Sequence, residues 1–166
     1  GRCDAYVDLA DPKATADLID AYCPSLVVHL AGYASAGKAN HNPADAWRDK
    51  REASFCLARA TSKYAPDASV FMASTVEGYG ESLRDGPATE ATAPRPTSVY
   101  AVSKLASELV MRATLPPQAK LIIARPANHT GSGQDEEFVV ASIARQVADA
   151  EHGLGPKAIK SGSRGP

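Results

Sequence analysis

The chain has 166 residues, 44% hydrophobic and 22% charged, with a formal net charge of −1. These are the proportions of an ordinary globular protein with a real core, and the scattered Lys and Arg give no electrostatic footprint for nucleic acid or an anionic membrane. Cys3, Cys23 and Cys56 are odd in number and lack metal-type spacing. Reduced thiols in a cytoplasmic protein explain them better than a disulfide framework. No apolar run reaches transmembrane length, and the first residues carry no signal-peptide pattern. In chain order, the run "AYVDL" (residues 5–9) predicts a short strand. A helix follows in "ADPKATADLIDAY", where Asp11 can cap and Pro12 fits the first position, since its missing N–H costs nothing there.

"SLVVHLA" (residues 25–31) is continuously apolar and β-branched, the pattern of a strand buried on both faces. After the loop "GYASAGKANH", a helix start at Asn42-Pro43-Ala44-Asp45 predicts a helix to about Tyr64. "ASVFMAS" (residues 68–74) predicts a third strand, leading into the Gly- and Pro-rich loop "TVEGYGESLRDGPATEATAPRP". From Thr97 or Ser98, the helically spaced set Val102, Leu105, Ala106, Leu109, Val110 and Ala113 predicts a helix whose apolar stripe faces the core. "AKLIIAR" (residues 119–125) is a fourth strand and "EEFVVASIARQVADAE" a fourth helix. Strict alternation predicts an α/β fold, a Rossmann-like parallel sheet with helices on both faces. Ligands in such sheets sit beyond the C-terminal ends of the strands.

Three strand ends open into loops of small and polar residues: His29 to Tyr33, Ser74 to Gly80, and Arg125 to Gln134. Ala31 and Gly32 would let a flat or charged ligand approach the backbone closely. In "YAVSK", Tyr100 and Lys104 lie one helical turn apart, on the face away from the Leu/Val stripe. Free tyrosine ionises near pH ~10 and is a poor base at neutral pH, whereas a nearby cation favours the phenolate and makes Tyr a usable proton donor and acceptor. Thr75 offers a hydroxyl from the neighbouring strand end. Glu77 is a carboxylate that serves either as a base or only as a solvated loop charge.

The segments "VVHLAG", "VFMASTVEGYG", "YAVSK" and "RPANHTGSGQ" occur in the order and spacing of the extended short-chain dehydrogenases/reductases, and the chain resembles that family from Asp8 to about Glu151. The resemblance implies a nucleotide-sugar enzyme using NAD or NADP. Tyr100 would be the catalytic acid/base; Lys104 would bind the nicotinamide ribose and lower the pKa of Tyr100. Thr75 matches the catalytic Ser/Thr, and Glu77 the active Glu of a Thr-x-Glu pattern. The cofactor-binding set would be Asp8 and Leu9 beside the adenine, Leu30, Ala31 and Gly32 in the loop under the cofactor, and Ser74, Tyr100 and Lys104. Ser35, Thr75 and Asn128 would meet the sugar nucleotide.

Within the family, the segment "RPANHTGSGQDEEFVVASIARQVADAEHG" is most similar to GDP-4-keto-6-deoxy-D-mannose reductases, with Asn128-His129-Thr130-Gly131 favouring them over the rivals, which implies reduction of a C4 ketone on a GDP-linked hexose. GDP-mannose 4,6-dehydratase and sugar-nucleotide C4 epimerase are the rivals within the family. A non-catalytic Rossmann-type binding domain is the rival of another class. The resemblance also implies a partial cofactor-binding domain over residues 1–126 and the start of a substrate-binding region over 127–166. The family's opening Gly-rich β-α-β unit, roughly sixty residues by the length of such a unit, has no counterpart here. The expectation is therefore a fragment that binds cofactor poorly and does not turn over alone. Three departures concern Lys50, where many relatives carry Asn, Ala127 in place of an aromatic, and Val99 in place of Pro. By analogy with relatives, a homodimer is expected through the helix after the His-Leu-Ala loop and the helix bearing Tyr100.

Overall fold

Ile, Val and Leu concentrated in short runs between helix-capping residues produce the alternation that the sequence predicts. A computed structural model describes residues 5–31, 43–156 and 158–160, with the backbone alone for 43–50. Among these residues the order is α1 (Pro12–Tyr22), β1 (Leu26–His29), α2 (Pro43–Tyr64), β2 (Ser69–Ala73), α3 (Val99–Thr114), β3 (Lys120–Ala124) and α4 (Val139–Glu151). Two 3-10 turns, Val76–Gly78 and Gly80–Asp85, occupy the loop after β2. None of the described helices is long and apolar enough to cross a membrane.

The helix starts obey local chemistry. The Asp11 side chain accepts from the N–H groups of Lys13 and Ala14, and Pro12 stands in the first turn. Ser98 caps α3 by accepting from Ala101 N at 3.1 Å. The three strands form one parallel sheet in the order β1-β2-β3. Register pairs Val28 with Phe71 and Phe71 with Ile122.

The chain divides into two compact units, Gly1–Ala127 and Asn128–Pro166. In the first, one core joins Ile19 of α1, Leu57 and Ala58 of α2, Val70 and Met72 of β2, and Met111 of α3. All three helices therefore line the same face of the sheet, the face to which Val70 and Met72 point. The opposite face carries the row Val28, Phe71 and Ile122, with Val28 52% and Ile122 50% exposed. In the second unit α4 follows Phe138, and Gln146 holds the segment beyond it by accepting from Lys160 N at 2.7 Å.

Two expectations are corrected. No strand forms over residues 5–9: residues 5–8 are irregular and 9–10 form a turn. A strand needs a neighbour to satisfy its N–H and C=O groups, and among the described residues β1, β2 and β3 pair only with one another. Asp8 instead closes a local turn, its carbonyl accepting from Asp11 N at 3.0 Å and its carboxylate from Ala10 N at 2.9 Å.

The second correction is the orientation of α3. Its buried residues are Tyr100, Ala101, Ser103, Lys104, Ser107, Glu108 and Met111. The Leu/Val stripe points away from the core, with Leu109 59% exposed. Periodicity locates an apolar stripe but does not say which side of the helix is covered; here the polar side is held inward by hydrogen bonds to the sheet.

Met111 is fully buried where α3 meets α2 and β2. Met111→Ala should cost about 2–5 kcal/mol, read as a lower urea midpoint. A loss under about 0.5 kcal/mol, the range of surface substitutions, would place this side of α3 outside the core.

Candidate active site at the C-terminal rim of the sheet

The C-terminal end of β2 is the centre of the site. Ser74 N donates to Ala124 O at 2.7 Å and Val76 N to Pro126 O at 3.1 Å, so the backbone on both sides of Thr75 is tied to the end of β3. Thr75 is buried and caps the first 3-10 turn, its Oγ1 accepting from Glu77 N at 3.3 Å. The chain then reverses at Gly80, whose φ is +48°, and a Cβ there would lie 2.0 Å from the Arg95 carbonyl oxygen. Only glycine fits that turn. Glu81 N to Arg95 O at 3.0 Å and Arg95 N to Tyr79 O at 3.2 Å stitch the loop shut against itself.

Across this rim lies the inward face of α3. Lys104 is buried, and its ammonium donates to Ala73 O at 3.0 Å. Burial pulls its pKa below the ordinary lysine value. Tyr100, one turn earlier, is also buried. Its pKa is raised above the usual tyrosine value, chiefly by burial and secondly by the negative charge of Glu77. Glu77 is exposed and accepts from Ser98 Oγ at 3.3 Å. The structure thus brings Thr75, Glu77, Tyr100 and Lys104 to one rim.

The expected lowering of the Tyr100 pKa by Lys104 is not seen; the pKa is raised instead. Lys104 is engaged with a backbone carbonyl, while burial and Glu77 both oppose the phenolate. A tyrosine so placed keeps its proton at neutral pH and is suited to donate it.

Ser74 belongs to the same rim, but its hydroxyl is committed to the Glu108 carboxylate. Asp8 and Leu9 lie in the turn before α1, Asp8 exposed and Leu9 half-buried. Leu30 and Ala31 follow β1 directly and are exposed. Gly32 and Ser35, and the Lys50 side chain, lie outside the described residues. Asn128 belongs to the second unit, where it is exposed.

Three residues without a predicted role emerge at the rim. Glu108 is 1% exposed and takes a two-pronged bond from Arg125, with Nε at 2.9 Å and Nη2 at 2.6 Å. The Arg125 guanidinium also lies 4.7 Å from the centre of the Tyr79 ring. The available signal was the spacing Tyr100, Lys104, Glu108, one face over about two turns. The third residue is His29 at the end of β1, 6% exposed, with Nε2 3.1 Å from Ser54 Oγ and no partner for Nδ1 among the described residues.

The chain belongs to the NAD dependent epimerase/dehydratase family, whose sequence profile matches residues 3–164. It is 32% identical to the GDP-6-deoxy-D-mannose reductase of Pseudomonas aeruginosa over 157 residues, covering 93% of this chain and 51% of that protein. The structure of RMD from Pseudomonas aeruginosa complexed with NADPH matches with a TM-score of 0.82 and 31% identity over 93% of this chain and 52% of that one. A UDP-glucose 4-epimerase of Thermus thermophilus, in complex with NAD, matches with a TM-score of 0.73 and 27% identity over 89% and 48%. The chain spans about half the length of these relatives. Its fold is the Rossmann-like α/β arrangement of this family.

The His29 pKa is lowered from an ordinary 6.5 to about 4, by burial first and the Lys104 charge second. A folded-state pKa below the unfolded one gives stability that is complete above pH 6.5 and drains as the pH falls towards 4. Between pH 7 and pH 5 the His29 contribution should shrink by about 2 kcal/mol. In urea titrations at the two pH values, His29→Gln should lose correspondingly less stability. An unchanged pH dependence in the variant would contradict the burial of a neutral imidazole.

Proposed function

We propose that this chain is part of an NAD(P)-dependent sugar-nucleotide oxidoreductase that reduces the C4 ketone of GDP-4-keto-6-deoxy-D-mannose. The observation that carries the reading is a buried Tyr100 one turn from Lys104, on the face of α3 that Lys104 ties to the strand end before Thr75. Similarity to the Pseudomonas aeruginosa reductase supports the substrate assignment. Residues 1–126 then form part of the cofactor-binding domain, and 127–166 begin the substrate-binding region; the division of the chain at Ala127 supports this boundary.

The donor set fits a nicotinamide cofactor: an ammonium with one N–H on a backbone carbonyl, and, one turn earlier on the same helix face, a buried phenol whose pKa is raised. The cofactor, when bound, supplies the hydride. Lys104 would hold the nicotinamide ribose through the N–H groups that Ala73 O leaves open. Tyr100 gives its proton to the oxygen at C4, and Thr75 stabilises the charge developing there by hydrogen bonding. By the family resemblance, Asp8, Leu9, Leu30, Ala31, Gly32 and Ser74 would border the cofactor, and Ser35 and Asn128 would meet the sugar nucleotide. The outward apolar stripe of α3, with Leu109 at its centre, supports a homodimer.

A second reading rests on Glu77. Its exposed carboxylate acts on Tyr100, and a base so placed favours proton abstraction at C5, the step of a GDP-mannose 4,6-dehydratase. A C4 epimerase needs only Thr75, Tyr100 and Lys104, and a non-catalytic Rossmann-type binding domain needs none of the three.

In the full-length protein, NADPH oxidation should depend on GDP-4-keto-6-deoxy-D-mannose, and Tyr100→Phe should slow it by about 100-fold or more. Consumption of GDP-mannose without added reductant would replace the reductase by the dehydratase. Undiminished turnover in Tyr100→Phe would remove Tyr100 from the chemistry.

A further inference from the structure

We propose that the buried Glu108–Arg125 pair is a positioning device, setting the register of α3 on the sheet rim and thereby the place of Tyr100 relative to Thr75. This rests on the catalytic reading of Tyr100. Glu108 is the third member of the series Tyr100, Lys104, Glu108 on the inward face of α3, and all three are buried. A carboxylate taken out of water is tolerated only when its lone pairs are matched. Here three donors converge on it: Ser74 Oγ, Arg125 Nε and Arg125 Nη2.

Those donors come from the structures that place the other site residues. Ser74 is the immediate neighbour of Thr75. Arg125 extends from the end of β3, between Ala124 and Pro126, whose carbonyls hold the backbone at Ser74 and Val76. Its guanidinium also lies over Tyr79, beyond Glu77. One carboxylate on the helix therefore grips both sides of the loop that carries Thr75 and Glu77.

The choice of chemistry matters. Well-packed apolar residues would hold the helix to the sheet at least as firmly as a buried ion pair. An apolar contact tolerates sliding and rotation, however, whereas a two-pronged guanidinium–carboxylate bond is directional in both. A one-residue rotation of α3 turns its side chains by about 100°, and a one-turn slip moves them about 5.4 Å. Either breaks the pair, so it admits one register. Tyr100 stands two turns from Glu108 on the same rigid helix and inherits that register, while Lys104 between them fixes the same face through Ala73 O.

The test uses the full-length protein and three variants, Glu108→Gln, the double change Glu108→Met with Arg125→Met, and Tyr100→Phe. Each is assayed for kcat, the pH profile of kcat and the urea midpoint, at temperatures below the unfolding transition. Glu108→Gln should lower kcat by about 10- to 100-fold and shift the pH profile, because the proton donor is displaced. The double variant should recover the urea midpoint through apolar packing and keep the kcat defect. Recovery of kcat together with stability, or an unshifted pH profile in Glu108→Gln, would reduce the pair to a structural tie and overturn the proposal. Should the double variant fail to fold, the pH profile of Glu108→Gln decides alone. Loss of turnover in Tyr100→Phe with full activity in Glu108→Gln rejects positioning but keeps the catalytic reading; an active Tyr100→Phe rejects that reading itself.

Discussion

A carboxylate buried on the face of a helix has to be answered, and the answer to Glu108 organises this molecule. With 1% of its surface exposed, its oxygens are matched by Arg125 and Ser74, which meet it at the ends of two adjacent strands. Removing one partner from such a pair typically costs about 3–5 kcal/mol, comparable with deleting a large core side chain. That constraint turns the polar face of α3 inward and leaves its apolar stripe outward, against what amphipathicity alone would choose. Once α3 is so oriented, Lys104 meets Ala73 and Tyr100 is buried beside the loop that begins at Thr75.

The same arrangement explains why the tyrosine sits high in pKa. Burial and the Glu77 carboxylate both disfavour the phenolate, while Lys104 spends one N–H on a backbone carbonyl. The rim therefore favours a phenol that keeps its proton. A ligand that drew Lys104 towards Tyr100 would ease the return of that proton. His29 belongs to the same electrostatic neighbourhood, since Lys104 adds to the burial that keeps its ring neutral. A buried imidazole beside a buried ammonium is tolerable only while the imidazole is uncharged.

Much of this was legible in the sequence, for local reasons. Asp11 and Pro12 announce α1 because capping acts within one turn, and the apolar runs announce β1, β2 and β3, although the expected burial on both faces is not met: Val28 and Ile122 are about half exposed. Tyr100 and Lys104 could be paired because an offset of four is one helical turn. What stayed hidden depends on neighbours. The run at residues 5–9 has strand composition but, among the described residues, no strand beside it to bond with. The stripe from Val102 to Ala113 has core periodicity, yet the sheet lies on the other side. Glu108 and Arg125 are 17 residues apart, and only the β-α-β crossover brings them together. The family motifs located Thr75 and Glu77, but not the electrostatic effect of Glu77 on Tyr100.

The central claim is that the polar face of α3 is turned into the sheet rim, with Tyr100 buried within the field of Glu77. Its most direct test is an NMR titration of protein carrying 13C-labelled tyrosine, with the Tyr100 signal assigned by its loss in Tyr100→Phe. The account predicts that Tyr100 titrates above the ordinary tyrosine value of about 10 and that Glu77→Gln moves it down. A Tyr100 that titrates at the ordinary value and ignores the Glu77 substitution would contradict it.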